Sequence, residues 1–177
     1  MGKKTTYSNK KDFEERLLET LYADPTKSHK ELAEELDTYR QKVWREKKKL
    51  EEEKKIWGYT SVVNEGKMNY VMYIVLLKMK PMSEDLAELI IERQIKKEQE
   101  KQNVRLINVL YLNGEFDWLL MFNASDHASA RKYYDNVRRA YDEYLLEKPV
   151  MVDVNFRLVR EGKINPDIKE LYDFVPK

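Results

Sequence analysis

The sequence predicts an α+β protein in two parts, an N-terminal winged helix-turn-helix followed by a βαββαβ ferredoxin-like domain. Two helix-start patterns almost abut, at Ser28 and Thr38, which forces two short helices to meet at a sharp angle. From residue 69 onward the apolar pattern alternates between strand and helix periods in the order strand, helix, strand, strand, helix, strand. The strands of that second part are apolar on both faces, which two helices on one side cannot cover.

Residues 1–11 carry Lys3, Lys4, Lys10 and Lys11 among small polar residues and are expected as a basic arm. Phe13, Leu17, Leu18 and Leu21 fall at helical spacing and predict a first helix over residues 12–22. Asp24-Pro25 closes it, because the residue before proline avoids the helical region. Ser28-His29-Lys30-Glu31 is a capping box, a hydroxyl that accepts from an early helical N–H and a Glu that reaches back. Leu32, Ala33 and Leu36 give the helix that follows a single apolar stripe. Thr38-Tyr39-Arg40-Gln41 repeats the box and starts a longer helix, on which Tyr39, Val43 and Leu50 share the inward side at about 100° per residue. Residues 57–63 supply the wing or a connecting strand, so the first domain is expected over 12–63, with 64–67 as a linker.

The outward side of the longer helix carries Gln41, Arg45 and Lys48, flanked by Lys42 and Lys49, with Arg40 at the edge and Thr38 in the turn before it. From Arg40 to Lys49 there are six basic residues and one acid, Glu46, although the whole chain is balanced at 33 basic and 32 acidic residues. Long polar donors on the N-terminal half of such a helix suit base edges in a DNA major groove, and lysines suit phosphates. Thr38, Arg40, Gln41, Lys42, Arg45, Lys48 and Lys49 are therefore the candidate residues for contacting double-stranded DNA. A solvated, charge-rich helix face is the competing reading of the same residues.

The second domain is expected over residues 68–160. Residues 69–79 form its first strand. Ser83 caps a helix with Leu86, Leu89 or Ile90, and Ile95 inward, running into the polar tract KKEQEKQ. Residues 104–112 and 116–122 are strands joined at Asn113-Gly114, a hairpin signal. Asp126 begins a helix with Ala130, Tyr134, Val137, Tyr141 and Tyr144 or Leu145 on one side, and residues 150–159 form the last strand. This order is the ferredoxin-like arrangement, with both helices on one face of an antiparallel sheet. Met72, Ile74 and Leu76 oppose Tyr73, Val75 and Leu77, and Leu119 and Met121 oppose Trp118, Leu120 and Phe122, so a second apolar face stays uncovered. Such a face is an aggregation hazard in a monomer, and a homodimer through it is the economical answer. In the extension 161–177, Ile168, Leu171, Tyr172 and Phe174 suggest a short helix packing on the body or on a partner.

Composition narrows the function classes. Zero cysteines exclude disulfides, thiol catalysis and thiolate metal sites, and two histidines leave no basis for a multi-His centre. No metal, cofactor or catalytic constellation is expected. No signal peptide and no membrane span is read, so the expected location is cytoplasmic. A net charge of +1 means that any nucleic-acid footprint is local.

Two segments resemble the Lrp/AsnC family of bacterial and archaeal transcription regulators. Leu50-Glu51-Glu52-Glu53, Ile56 and Gly58-Tyr59-Thr60 resemble that family's passage from recognition helix to wing, and Leu32-Ala33-Glu34 resembles its second helix. Gly114-Glu115-Phe116-Asp117 resembles the family's Gly–x–Tyr/Phe–Asp signature between sheet strands two and three. The resemblance spans most of residues 12–160. It implies DNA as a partner, assembly into homodimers and often octamers, and an amino-acid effector site near Asn113, Gly114 and Asp117. A tight hairpin with a local side-chain hydrogen bond is the structural alternative for that turn. The sequence departs from the pattern in several places. Lys54 and Lys55 stand at the usual Gly-Val, so the left-handed helix cap is expected to be missing. Lys47 occupies a usually aliphatic position, Trp44 and Trp57 are bulky, and Asn113 replaces a usual Thr or Ser.

The leading expectation is a sequence-specific DNA-binding regulator acting as a dimer or larger assembly. A metabolite-binding oligomeric sensor with weak or no specific DNA binding is the alternative. An enzyme is the remote third class, since some proteins of this two-domain layout, the siroheme decarboxylases, are catalysts.

Overall fold

The computed structural model describes residues 3–96 and 103–176, with side chains from Asp12 onward in those ranges. Most of the expected tract KKEQEKQ, residues 97–102, and the lysine side chains of the expected arm lie outside the described residues. The chain divides into two compact units, Met1–Ser61 and Val62–Lys177.

The first unit holds three helices, α1 (Lys3–Ala23), α2 (His29–Glu35) and α3 (Arg40–Glu52). Helix α1 begins at Lys3 rather than at the expected residue 12, so most of the expected arm is helical. No glycine or proline interrupts 3–23, and a helix already nucleated by a packed segment extends at the gain of one backbone bond per residue. Phe13, Leu17 and Leu21 of α1 bury against Leu32, Ala33 and Leu36 and against Val43 and Leu50 of α3. Residues 57–63, expected as the wing or a connecting strand, form neither helix nor strand. Among the described residues of the first unit there is no strand to pair with them.

In the second unit the strands are β1 (Val71–Leu77), β2 (Val104–Tyr111), β3 (Trp118–Ala124) and β4 (Val150–Asp153), with helices α4 (Glu84–Ile95) and α5 (His127–Ala140) between them. The sheet runs β2-β3-β1-β4, antiparallel throughout, the order that βαββαβ connectivity produces. Tyr73, Val75 and Leu77 of β1 and Leu120, Phe122 and Ala124 of β3 form a core with Leu86 of α4 and Ala130, Tyr133, Tyr134 and Val137 of α5. Ile95, expected inward, is 75% exposed; it is the last residue of α4, beyond the partly buried Leu89 and Ile90. The pairing of β2 with β3 shifts between Leu106 and Asn108, a bulge that moves Val109 onto the core face. The last expected strand is divided. It stops at Asp153, a bend follows, and β5 (Val159–Arg160) pairs with β6 (Lys163–Ile164) before a 3-10 segment, Ile168–Phe174. Glu161 and Gly162 both have positive φ, +45° and +70°, in the connection between β5 and β6.

The opposite sheet face carries Ile74, Leu76, Leu119 and Met121, with Leu110, Val150 and Val152 each more than 40% exposed. Both helices lie on the other side, as the alternation predicts.

Candidate nucleic-acid interface

Helix α2 is fixed at both ends by local bonds. The Ser28 hydroxyl accepts from the Glu31 N–H at 3.3 Å, and the Glu31 carboxylate accepts from the Ser28 N–H at 2.7 Å. That backbone donor leads the causes that hold the Glu31 carboxyl below its ordinary pKa. At the other end Asp37 adopts φ +48°. Its N–H donates to the Glu34 carbonyl at 3.3 Å, and the Thr38 N–H donates to the Ala33 carbonyl at 2.9 Å. This pair of bonds is a Schellman motif, with Asp in the position glycine usually fills.

The motif displaces the start of α3. Thr38 is used in closing α2, so the N-cap is Tyr39, which makes no side-chain cap bond; the expected second capping box is not formed. Tyr39 is extended, at φ −110° and ψ 147°, so helical phase does not govern it. It was expected in the core but is 57% exposed, and its hydroxyl accepts from Arg45 Nη2 at 3.2 Å.

The far end of α3 also corrects an expectation. Lys54 takes φ +57°. Its N–H donates to Glu51 O at 3.1 Å, and the Lys55 N–H donates to Leu50 O at 2.9 Å. The left-handed cap read as missing is therefore present and built on lysine. Ile56, just beyond it, packs against the core cluster that contains Leu50.

Between these caps the candidate side chains separate into two groups. Arg40, Gln41, Arg45 and Lys48 are exposed and fall within roughly 140° of arc. Lys42 and Lys49, expected beside them, turn back towards α1. Lys42 Nζ stands 4.0 Å from the centre of the Phe13 ring. Lys49 Nζ is 3.3 Å from Glu14, 2.9 Å from Glu46 and 3.4 Å from Glu53. Its hydrogen bond to Glu46 leads the causes that raise its pKa, with Glu14 adding to the shift against the cost of burial. Lys55 also pairs with Glu14 and Glu53, so this side of α3 is an ion network against α1. Lys48 reaches Glu52 at 3.7 Å, both well exposed. Lys47 covers the ring of Tyr59 at 4.5 Å, and the Tyr59 hydroxyl donates to Glu51 at 2.9 Å.

One residue on the open arc was not read as part of the site. Trp44 is 51% exposed and lies between Arg40 and Lys48 on the same face, with Lys48 Nζ 5.7 Å from its ring. Its spacing, four residues from each, was the available signal.

The residues expected near an effector lie at the far end of the β2–β3 connection. No two-residue turn forms at Asn113-Gly114. Such a turn needs positive φ at its central residues, and neither residue has it. The connection runs over 112–117, from Tyr111 to its partner Trp118. Asp117 fixes it. Its carboxylate accepts from the Met79 N–H at 2.7 Å, its N–H donates to Leu77 O at 2.9 Å, and its carbonyl accepts from the Leu112 N–H at 2.7 Å. Asn113 and Gly114 are exposed, and a Cβ at 114 would meet nothing within 4 Å.

No family model matches the sequence, and no curated protein matches it. Solved structures do. The leucine response regulatory protein LrpA of Mycobacterium tuberculosis gives a TM-score of 0.68 at 13% identity, over 88% of this chain and 99% of that one. LrpC of B. subtilis gives 0.58 at 19% identity, over 83% and 95%. The transcriptional regulator NMB0573 of Neisseria meningitidis, solved as a complex with L-Met, gives 0.59 at 13% identity, over 84% and 91%. The chain therefore has the fold of Lrp/AsnC regulators, a helix-turn-helix unit followed by a ferredoxin-like unit.

Proposed function

We propose that the protein is a sequence-specific DNA-binding transcriptional regulator that acts as a homodimer or larger assembly. The observation that carries this reading is the open face of α3. Arg40, Gln41, Trp44, Arg45 and Lys48 share one solvent-facing arc, on a helix joined to α2 through the Asp37 motif. A helix so presented enters a major groove with its N-terminal residues on base edges. Gln41 and Arg45 read bases; Lys48, with Arg40 at the edge, holds phosphates. Lys42 and Lys49 are not assigned to phosphate, because they are engaged with Phe13 and with the Glu14–Glu46–Glu53 carboxylates. The likeness to proteins named as transcriptional regulators supports the same reading.

The uncovered sheet face supports the homodimer. Two-fold symmetry then implies a palindromic operator with half-sites about one helical turn, or a multiple of it, apart. An amino acid or small metabolite modulates the assembly through the second unit, a reading supported by the L-Met complex of the neisserial regulator, and the 112–117 connection, with Asn113, Gly114 and Asp117, is the site proposed for it.

Competition binding tests the face assignment. Arg45→Ala is expected to relax sequence preference, whereas Lys48→Ala weakens binding to all duplexes and reduces the salt slope by about one. Specific and nonspecific binding both unchanged by Arg45→Ala would mean that another face meets DNA.

A further inference from the structure

A cavity of about 670 Å³ lies within the second unit, between residues 62–72 at its start and residues 153–170 at its end. It is separate from the 112–117 connection. Its volume falls in the range that small-molecule sites occupy, about 300–1,000 Å³. Tyr70, Val71, Phe156 and Ile164 give it apolar wall. Its charged lining has an unusual member, Glu65, only 7% exposed. Arg157 Nη1 donates to the Glu65 carboxylate at 3.2 Å, and Arg160 donates to its other oxygen.

Two guanidinium groups thus share one carboxylate in a partly buried place. Charges taken out of water are costly unless matched. The Arg157 pKa shows this cost: burial lowers it, Glu65 opposes the shift, and the neighbouring Arg160 adds to it. Two lysines, Lys67 and Lys163, also line the cavity, and Lys67 is paired with Asp167 at 2.6 Å. A ligand that brings one carboxylate to the two arginines and an apolar body to the walls would supply acceptors to two five-donor guanidinium groups that share a single Glu65, since guanidinium groups bind carboxylates by paired charge-assisted hydrogen bonds.

We infer that this cavity is a binding site for a small organic carboxylate with an apolar body, held by Arg157 and Arg160. The inference does not depend on DNA binding or on an effector at 112–117, because the cavity is lined within the second unit by residues that belong to neither.

Titration calorimetry on the full chain tests it with three probes: 3-phenyl-2-oxopropanoate, L-phenylalanine and the uncharged 3-phenylpropanamide. Saturable heat is expected from the oxo acid and none from the amide. Binding of L-phenylalanine as well would show that Asp153 or Glu170, which also line the cavity, accept its ammonium; both carboxylate results support the site. Arg157→Met is expected to weaken binding about tenfold or more. Because that variant disturbs the Glu65 cluster, Ile164→Trp is the second test. Ile164 is 66% exposed, so the larger ring fills the cavity mouth without strain, abolishing the heat while the thermal transition stays in place. No saturable heat from either carboxylate at millimolar concentration, or binding unchanged in both variants, overturns the inference.

Discussion

Lys54→Gly is the sharpest test of how the end of α3 is built. Lys54 holds φ +57° in the left-handed region, where a Cβ costs roughly 1–2 kcal/mol. Glycine removes that strain but has more freedom to lose on folding, about 0.4–1 kcal/mol. The net expectation is a stabilisation of about 0.5–1 kcal/mol. For a unit of this size that raises the transition by roughly 2–8 °C. Scanning calorimetry of the full chain, following the transition assigned to the first unit, reads the shift. Lys54→Ala is the control: it keeps the strain and should leave the transition near wild type. A glycine variant no more stable than the alanine variant would refute the reasoning, because the backbone there would then not be left-handed.

Other expectations follow from the same geometry. Lys49→Met should leave the salt slope of DNA binding unchanged while lowering the stability of the first unit, because Lys49 serves Glu14, Glu46 and Glu53; a reduced slope would return it to the DNA face. Glu65→Gln should cost about 3–5 kcal/mol in the second unit, the cost of breaking a partly buried ion cluster. Burial pushes the Glu65 carboxyl up, but its backbone hydrogen bond, Arg160 and Arg157 outweigh that and hold its pKa below the ordinary value. Its contribution is therefore present above the ordinary carboxylate pKa and lost as pH falls through the lowered one. Acid melting profiles should show that loss in the wild type and a flatter acid limb in Glu65→Gln. Val152→Lys, on the uncovered sheet face, would bury an unpaired charge in a dimer and weaken it about a hundredfold or more; sedimentation equilibrium should show a monomer, and an unchanged dimer would place the interface elsewhere.

What the sequence revealed depended on how local the cause was. The Ser28 box formed as read because all its partners lie within four residues. The Thr38 box failed although its letters fit, since Thr38 is taken up by the Ala33 carbonyl and the helix starts one residue later. Lysine at position 54 concealed a left-handed cap because the backbone bonds, not the residue type, make the motif. The core positions Val43 and Leu50 and the alternation in β1 and β3 were legible because periodicity alone sets them. Lys49 looked like its neighbour Lys48 in sequence. Only contact with Glu14, far back in α1, tells the two apart. The Glu65–Arg157–Arg160 cluster was illegible for the same reason, joining residues more than 90 apart, and Glu65 read as part of a linker. Asn113-Gly114 suggested a short turn, but Asp117, bonded to Met79 and Leu77 across the sheet end, holds a longer connection open.

Fluorescence anisotropy of the full chain against a random-sequence duplex and against the DNA upstream of its own gene, titrated across salt, addresses the central claim most directly. Tight, salt-steep binding with preference for the upstream duplex is expected, with a slope that falls in Lys48→Ala. A folded dimer that binds neither duplex at low salt would contradict that claim, leaving the open face of α3 as a solvated surface and the ligand binding proposed for the second unit as the leading function.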